Sequence, residues 1–129
     1  QKREILEKTY SEHLMKLAVF VPDEHADELR YVLAKAGAGK IGNYDSCSYS
    51  TDGKGRFRPL EGANPYIGDV GEIEVTDEEK IEVVFPTSMK NRILKAMLNA
   101  HPYEEPAYDL YTLAQETNEY GIGRFGMFK

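Results

Sequence analysis

Apolar positions along the chain fall into two helical stripes separated by short β-rich runs. Lys16 to Val21 is apolar and rich in β-formers, and too short to be a helix on its own, so it reads as a strand. Residues 1 to 14 ahead of it are polar, with Ile5, Leu6 and Leu14 scattered among them, and read as a linker or short helix leading in. Pro22-Asp23 breaks the strand. Pro22 suits a helix start, and Asp23 with Glu24 suits the positive end of its dipole. Ala26, Leu29, Val32, Leu33 and Ala36 then share one face, which predicts a helix over 23–36 stopped by Gly37.

The middle of the chain is punctuated by turn residues. Tyr44 to Ser50 alternates as a strand, with Cys47 and Tyr49 on one side. Thr51-Asp52-Gly53-Lys54-Gly55 has turn chemistry, and Arg56 to Leu60 reads as a returning strand. Residues 61–65 read as a loop and 66–71 as irregular. Gly71 to Thr76 and Glu79 to Phe85 read as strands joined through Asp77-Glu78, with Glu72, Glu74 and Thr76 facing opposite to Ile73 and Val75.

Pro86-Thr87-Ser88 opens the second helix, with Thr87 or Ser88 as its cap. Met89, Ile93, Met97 and Ala100 form its buried stripe, widened by Leu94 and Leu98, while Lys90, Arg92 and Lys95 face outward. That stripe is core packing, each side chain contributing about 1.5–3 kcal/mol. His101-Pro102 ends the helix, and Ala107 to Leu113 is the last strand.

The order β-α-β-β-(β-β)-α-β predicts an α+β fold: a ferredoxin-like, split βαβ antiparallel sheet with both helices on one face and an inserted hairpin. The other sheet face then lacks a cover. Burial against copies of itself would hide it.

Composition narrows the class. A chain of 129 residues is one ordinary domain, and its 29% charged and 11% aromatic residues are globular. A net charge of −6 disfavours nucleic acid, since the basic group Lys54, Arg56 and Arg58 is small. The longest apolar stretch, Leu17 to Val21, is far too short to cross a bilayer, and no signal-peptide pattern is present. The single cysteine, Cys47, has no intrachain partner, which suits the cytoplasm. The chain opens on Gln1 rather than Met, the expectation for a piece of a longer protein.

Candidate chemistry concentrates in His101-Pro102-Tyr103-Glu104-Glu105-Pro106-Ala107-Tyr108-Asp109. The prolines bias His101 and Glu105 toward extended backbone, which predicts a stiff, nearly straight connector. Polar groups held in place lose less entropy on binding. The plain alternative is a connector whose polar groups face water. Gly39 to Tyr44 has glycines at a spacing that superficially suggests a phosphate loop, but it follows a helix instead of opening one. His101 and Glu104, with Cys47 or Glu105 near in space, have donor types that suit zinc. No paired spacing supports that, and a lone Cys47 on a strand reads first as a small apolar side chain. His25 reads as a surface residue and His13 carries no signal.

Several motifs together carry a family resemblance. Gly37-Ala38-Gly39-Lys40-Ile41-Gly42-Asn43-Tyr44, Cys47, Phe57-Arg58-Pro59-Leu60-Glu61-Gly62, Asn64-Pro65-Tyr66-Ile67-Gly68 and the 101–109 run resemble the central insertion domain of YqfO-type proteins. These form the NGG-one-interacting-factor-three family, also labelled type 2 homologues of GTP cyclohydrolase I. The resemblance implies a PII- and CutA-like domain over 15–114, a lead-in over 1–14, and a return over 115–129 toward a flanking domain, at Gly121-Ile122-Gly123-Arg124-Phe125-Gly126. It implies a homotrimer that sits over the opening of a ring-shaped assembly. The parents carry a dinuclear, zinc-like metal site on flanking segments, and no position of this sequence matches those ligands.

Two functions follow from this reading. One is a non-catalytic regulatory and assembly module that trimerises, covers the entrance to the parent's metal site, partners its flanking domain and senses a small ligand or metal. The candidate ligand-binding residues are His101, Tyr103, Glu104, Glu105, Tyr44, Gly39 and Gly42, with His101, Glu104 and Cys47 as metal candidates. It needs no cofactor of its own and binds neither nucleic acid nor membrane. The other is a metal-dependent hydrolase or cyclohydrolase-like enzyme acting on a nucleotide through His101 and Glu104. A complete set of nucleophile, base and orienter is not visible, which favours the module.

Overall fold

The computed structural model describes residues 11–117. Strand β1 (His13–Pro22) leads into helix α1 (Asp23–Lys35). Strands β2 (Tyr49–Phe57) and β3 (Glu74–Pro86) follow, then a 3-10 turn (Thr87–Met89), helix α2 (Lys90–Ala100) and strand β4 (Tyr108–Glu116). The strands form one antiparallel sheet in the order β2-β3-β1-β4. This is the expected split βαβ arrangement, with β3 inserted between β1 and β2.

Strand pleat sorts the side chains. Met15, Leu17, Val19 and Val21 of β1 and Ile81, Val83 and Phe85 of β3 point to one face. There they meet Ala26, Leu29 and Leu33 of α1 and Ile93 and Met97 of α2, closing a single core. Gly37 ends α1 at φ +109, the left-handed position that favours glycine.

Several local expectations change. The turn expected at Thr51–Gly55 and that at Asp77–Glu78 both run as strand, so four short strands merge into two long ones. Pairing across nine positions, from Tyr49↔Glu82 to Phe57↔Glu74, overrides the local turn preference of Asp and Gly. The two long strands therefore take the place of the inserted hairpin. Residues 44–48 are outside β2; Ile41 and Tyr44 instead close a small bridge. Pairing of β1 begins at His13, inside the expected lead-in, and Leu14 is fully buried. Neither Thr87 nor Ser88 caps α2. Thr87 Oγ1 donates to the His13 carbonyl at 2.7 Å and Ser88 Oγ to Glu12 Oε2 at 2.8 Å, tying the helix start to β1. Leu98 is exposed, outside the core stripe. The 101–109 connector bends over Pro102–Glu105, because the Tyr103 N–H curls back to His101 Nδ1 at 3.1 Å. Expectations for residues 1–10 and 118–129 lie outside the described residues.

The second sheet face carries Lys16, Lys80 and Glu82, which pair as Lys16–Glu82 at 3.2 Å and Lys80–Glu82 at 3.9 Å. Among the described residues no helix covers it. No helix among them is long and apolar enough to cross a membrane.

Candidate functional site

Register places the site. Pro22 pairs with Glu78, so Glu74–Asp77 of β3 run on past the end of β1, still paired with Lys54–Phe57 of β2. The 58–73 loop folds back over this arm and is closed by Gly71 N–H donating to the Pro59 carbonyl at 2.8 Å. The bent 102–107 connector packs from the other side. Between them lies a cleft of about 720 Å³, lined by Phe57, Tyr66, Glu78, Tyr103, Glu104 and Glu105 among others.

His101 sits beside this cleft, 7% exposed. Its Nε2 lies 2.7 Å from the Phe20 carbonyl, and its Nδ1 accepts from the Tyr103 N–H. Those partners fix the neutral tautomer with the proton on Nε2. Burial pushes its pKa below the ordinary 6.5, against the opposing pull of the Phe20 carbonyl and the Glu78 carboxylate.

Tyr103 donates its hydroxyl to Glu78 Oε2 at 2.9 Å, and Thr76 Oγ1 donates to the same oxygen at 3.0 Å. Burial leads in pushing the Tyr103 phenol up to about 12, and the Glu78 hydrogen bond and charge add to it. Aromatic rings surround the pair: Phe57 stands 5.7 Å from Tyr103, Tyr66 6.1 Å and His101 5.1 Å. Tyr66 is in turn held by His25, at 2.9 Å from Nε2 to hydroxyl, so His25 positions the loop instead of facing free solvent. Glu104 Oε1 accepts from the Asn64 N–H at 3.0 Å, pinning the connector to the loop.

The sequence-derived candidates thus divide. Tyr103, Glu104 and Glu105 line the cleft, with His101 behind them. Gly39, Gly42 and Tyr44 belong to a separate loop. Gly39 N–H donates to the Val84 carbonyl at 2.8 Å, and Val84 lies six residues along β3 from Glu78, about 20 Å at strand rise. Cys47 is there too, its N–H on the Gly39 carbonyl at 2.9 Å. His101, Glu104 and Cys47 are therefore not brought together, and both nitrogens of His101 already serve the main chain. Sequence reasoning missed Glu78, read as a turn residue, and Thr76. The signal available was Gly53 and Gly55 two apart, baring one face of a strand.

One group of carboxylates comes close elsewhere. Asp23, Asp52 and Glu79 each bring an oxygen within 4.8 Å of the others. Burial and the surrounding carboxylates, Glu79 first, raise the Asp23 pKa. Arg30 compensates, donating to Glu79 Oε1 at 2.5 Å, Asp27 Oδ1 at 2.5 Å and Ser50 Oγ at 2.9 Å. The all-oxygen donor set is unsuited to a zinc-like centre, and Arg30 already occupies Glu79.

Comparison with known proteins places this geometry in a family context. No protein-family profile matches the chain. A Bacillus subtilis protein named GTP cyclohydrolase 1 type 2 homolog is 48% identical over 126 residues, 98% of this chain and 34% of that protein. The crystal structure of a Bacillus cereus protein related to NIF3 superposes at TM-score 0.73 with 46% identity, over 83% of this chain and 27% of that one. CutA from Xylella fastidiosa superposes at 0.59 with 17% identity, over 79% of this chain and 85% of CutA, which shows the fold alone. The chain spans about a third of the length of the curated relatives it matches. It resembles, over nearly its whole length, one segment of the NIF3-related GTP cyclohydrolase 1 type 2 homologues, and it has a CutA-like fold.

Proposed function

We propose that the chain is a non-catalytic regulatory and assembly module of a larger NIF3-related protein. It seats a small ligand in the cleft between the 58–73 loop and the 102–107 connector. It self-associates, as a trimer, through the sheet face and edges that its helices leave open, and it covers the entrance to the parent's metal site. The cytoplasm is its compartment, in keeping with the lone Cys47.

The observation that carries this reading is the state of His101. A general base needs a free nitrogen within reach of its proton. Both nitrogens of His101 are engaged by Phe20 and Tyr103, and burial holds the ring neutral. Tyr103 is locked onto Glu78 with its proton held up to about 12. Such a pair binds and orients, and neither of its two groups is poised as an acid or a base. Self-association draws on the face and on the edges of β2 and β4 that stand uncovered among the described residues, and on Tyr49 and Tyr111, which are 71% and 48% exposed.

Light scattering on the chain at micromolar concentration tests the assembly half. A trimer is the expected mass, and a clean monomer overturns it. Assaying the chain for GTP hydrolysis or ring opening tests the other half. Turnover that disappears in His101→Ala would replace the module with the cyclohydrolase-like alternative.

A further inference from the structure

Glu78 is a buried carboxylate with half of its hydrogen-bonding capacity unspent. It is 8% exposed and lines the cleft. Thr76 and Tyr103 both donate to Oε2. Among the described residues Oε1 has no donor. No fully buried side-chain oxygen or nitrogen among the described residues lacks a partner, so Oε1 is open to the solvent and free to accept from a ligand.

The surroundings hold that oxygen in place. A Cβ built on Gly55 would lie 2.4 Å from Oε1, so the carboxylate rests directly on the bare backbone of β2. Gly53, paired with Glu78 in register, leaves the neighbouring position equally bare. Glycine at such strand positions permits close approach of another group. The Tyr103 and Thr76 hydroxyls fix the carboxylate from the other oxygen, so a ligand meets it already oriented.

Charge and shape select the ligand. Phe57, Tyr66 and Tyr103 offer ring surfaces to a flat body. The lining carries four carboxylates (Glu61, Glu78, Glu104, Glu105) against two guanidiniums (Arg56, Arg58), an excess of two negative charges that repels an anion. The cleft volume, about 720 Å³, lies within the roughly 300–1,000 Å³ common for small-molecule sites.

We propose that the cleft binds a small planar molecule bearing an amine or amidinium group, whose N–H donates to Glu78 Oε1 while its ring lies against Tyr103 and Phe57. This deepens the ligand-seat reading above and rests on it.

Benzamidine is the probe, with benzyl alcohol and benzoate as its uncharged and anionic counterparts. Each is titrated into the isotope-labelled chain and followed by amide NMR. Benzamidine saturably shifts the amides of Gly55, Glu78 and Tyr103, and binds at least about tenfold more tightly than either counterpart, the size expected of one charged hydrogen bond. In Glu78→Gln that preference collapses toward parity. Gly55→Ala, which displaces the carboxylate without removing it, reduces the preference in the same direction, and thermal melts of both variants establish that they are folded. Benzoate or benzyl alcohol filling the cleft as tightly as benzamidine overturns the amine assignment and leaves the ligand seat standing. Benzamidine shifts that fall elsewhere, that fail to saturate, or that persist unchanged in Glu78→Gln overturn the assignment as well. The assembly reading is judged separately by mass.

Discussion

His101 Nε2 donates to the Phe20 carbonyl across 2.7 Å, joining residues 81 apart in sequence at the exit of α2 and the end of β1. The bond is local in space and remote along the chain, so it fixes where the connector leaves the helix. His101→Ala orphans the Phe20 carbonyl and the Tyr103 N–H together. Each unsatisfied buried group costs about 1–3 kcal/mol, so the variant loses at least that much in urea denaturation. Tyr103 then drifts from Glu78, and its phenol moves back toward the ordinary range. An unchanged denaturation midpoint would remove the structural role given to His101.

The same histidine sets an acid limb of stability. Its folded pKa is depressed below 6.5, principally by burial, with His25 adding to the depression and Glu78 opposing it. The unfolded chain therefore binds more protons just below pH 6.5, and stability falls as pH drops from there toward the depressed value. Above pH 6.5 this contribution is complete and flat. Melting temperatures of the wild type decline more steeply than those of His101→Gln as pH falls below 6.5. Parallel profiles for the two would contradict the assignment.

The architecture was legible because two periodicities were unambiguous. Leu29 and Leu33 mark one helix, Ile93 and Met97 the other, and their i, i+4 spacing needs no tertiary context. The β2–β3 arm was not legible. Asp52-Gly53 and Asp77-Glu78 have the local chemistry of turns, and only pairing along the full length of the two strands holds them extended. The site was half legible for the same reason. Tyr103 and Glu104 stood out as a dense polar run, whereas Glu78 joins them through register: it lies opposite Gly53 and next to Pro22, relations no local window contains. The loop of Gly39, Gly42 and Tyr44 looked equally rich in sequence, and register puts it at the other end of β3.

That loop nonetheless makes a sharp prediction. Gly39 has φ +86, and an added Cβ would meet the Cys47 carbonyl oxygen at 2.3 Å and the Cys47 nitrogen at 2.8 Å. Both obstacles are backbone, so neither rotates away. Gly39→Ala carries roughly 1–3 kcal/mol of conformational strain in addition to that clash, and it also threatens the Gly39 N–H bond to Val84. Gly42→Ala meets nothing within 4 Å and serves as the milder comparison. A calorimetric melt that ranks Gly42→Ala as the more damaging variant would contradict the packing described.

Arg30 is the hub of the sheet's other end. It links α1 to β2 through Ser50 and to β3 through Glu79, while Asp23 and Asp52 stand close by. Arg30→Ala leaves Asp23, Asp52 and Glu79 facing one another without the guanidinium that binds Glu79. The pair is partly exposed, so the loss is modest, on the order of 1 kcal/mol at low salt, and it shrinks as ionic strength rises. A salt titration of the unfolding midpoint in wild type and variant measures it. A gap that widens with salt would mean that Arg30 acts through packing and not through charge.

Tyr103 supplies the matching alkaline limb. Its phenol is pushed up to about 12, with burial as the leading cause and the Glu78 hydrogen bond and charge adding to it. An unfolded tyrosine ionises near pH 10. Between those values the folded chain holds a proton that the unfolded chain has released. Stability is therefore fully present below about pH 10 and is lost as pH rises toward about 12. Tyr103→Phe removes this slope along with the hydroxyl that holds Glu78 Oε2, while keeping the ring beside Phe57 and Tyr66. Compared by alkaline melts, the wild type loses stability faster than Tyr103→Phe above pH 10. Absorbance titration of the phenolate bands in the folded range shows one late-ionising tyrosine fewer in the variant. If the two proteins lose stability equally with alkali, the buried bond from Tyr103 to Glu78 does not hold in solution, and the fixed orientation of Glu78 goes with it.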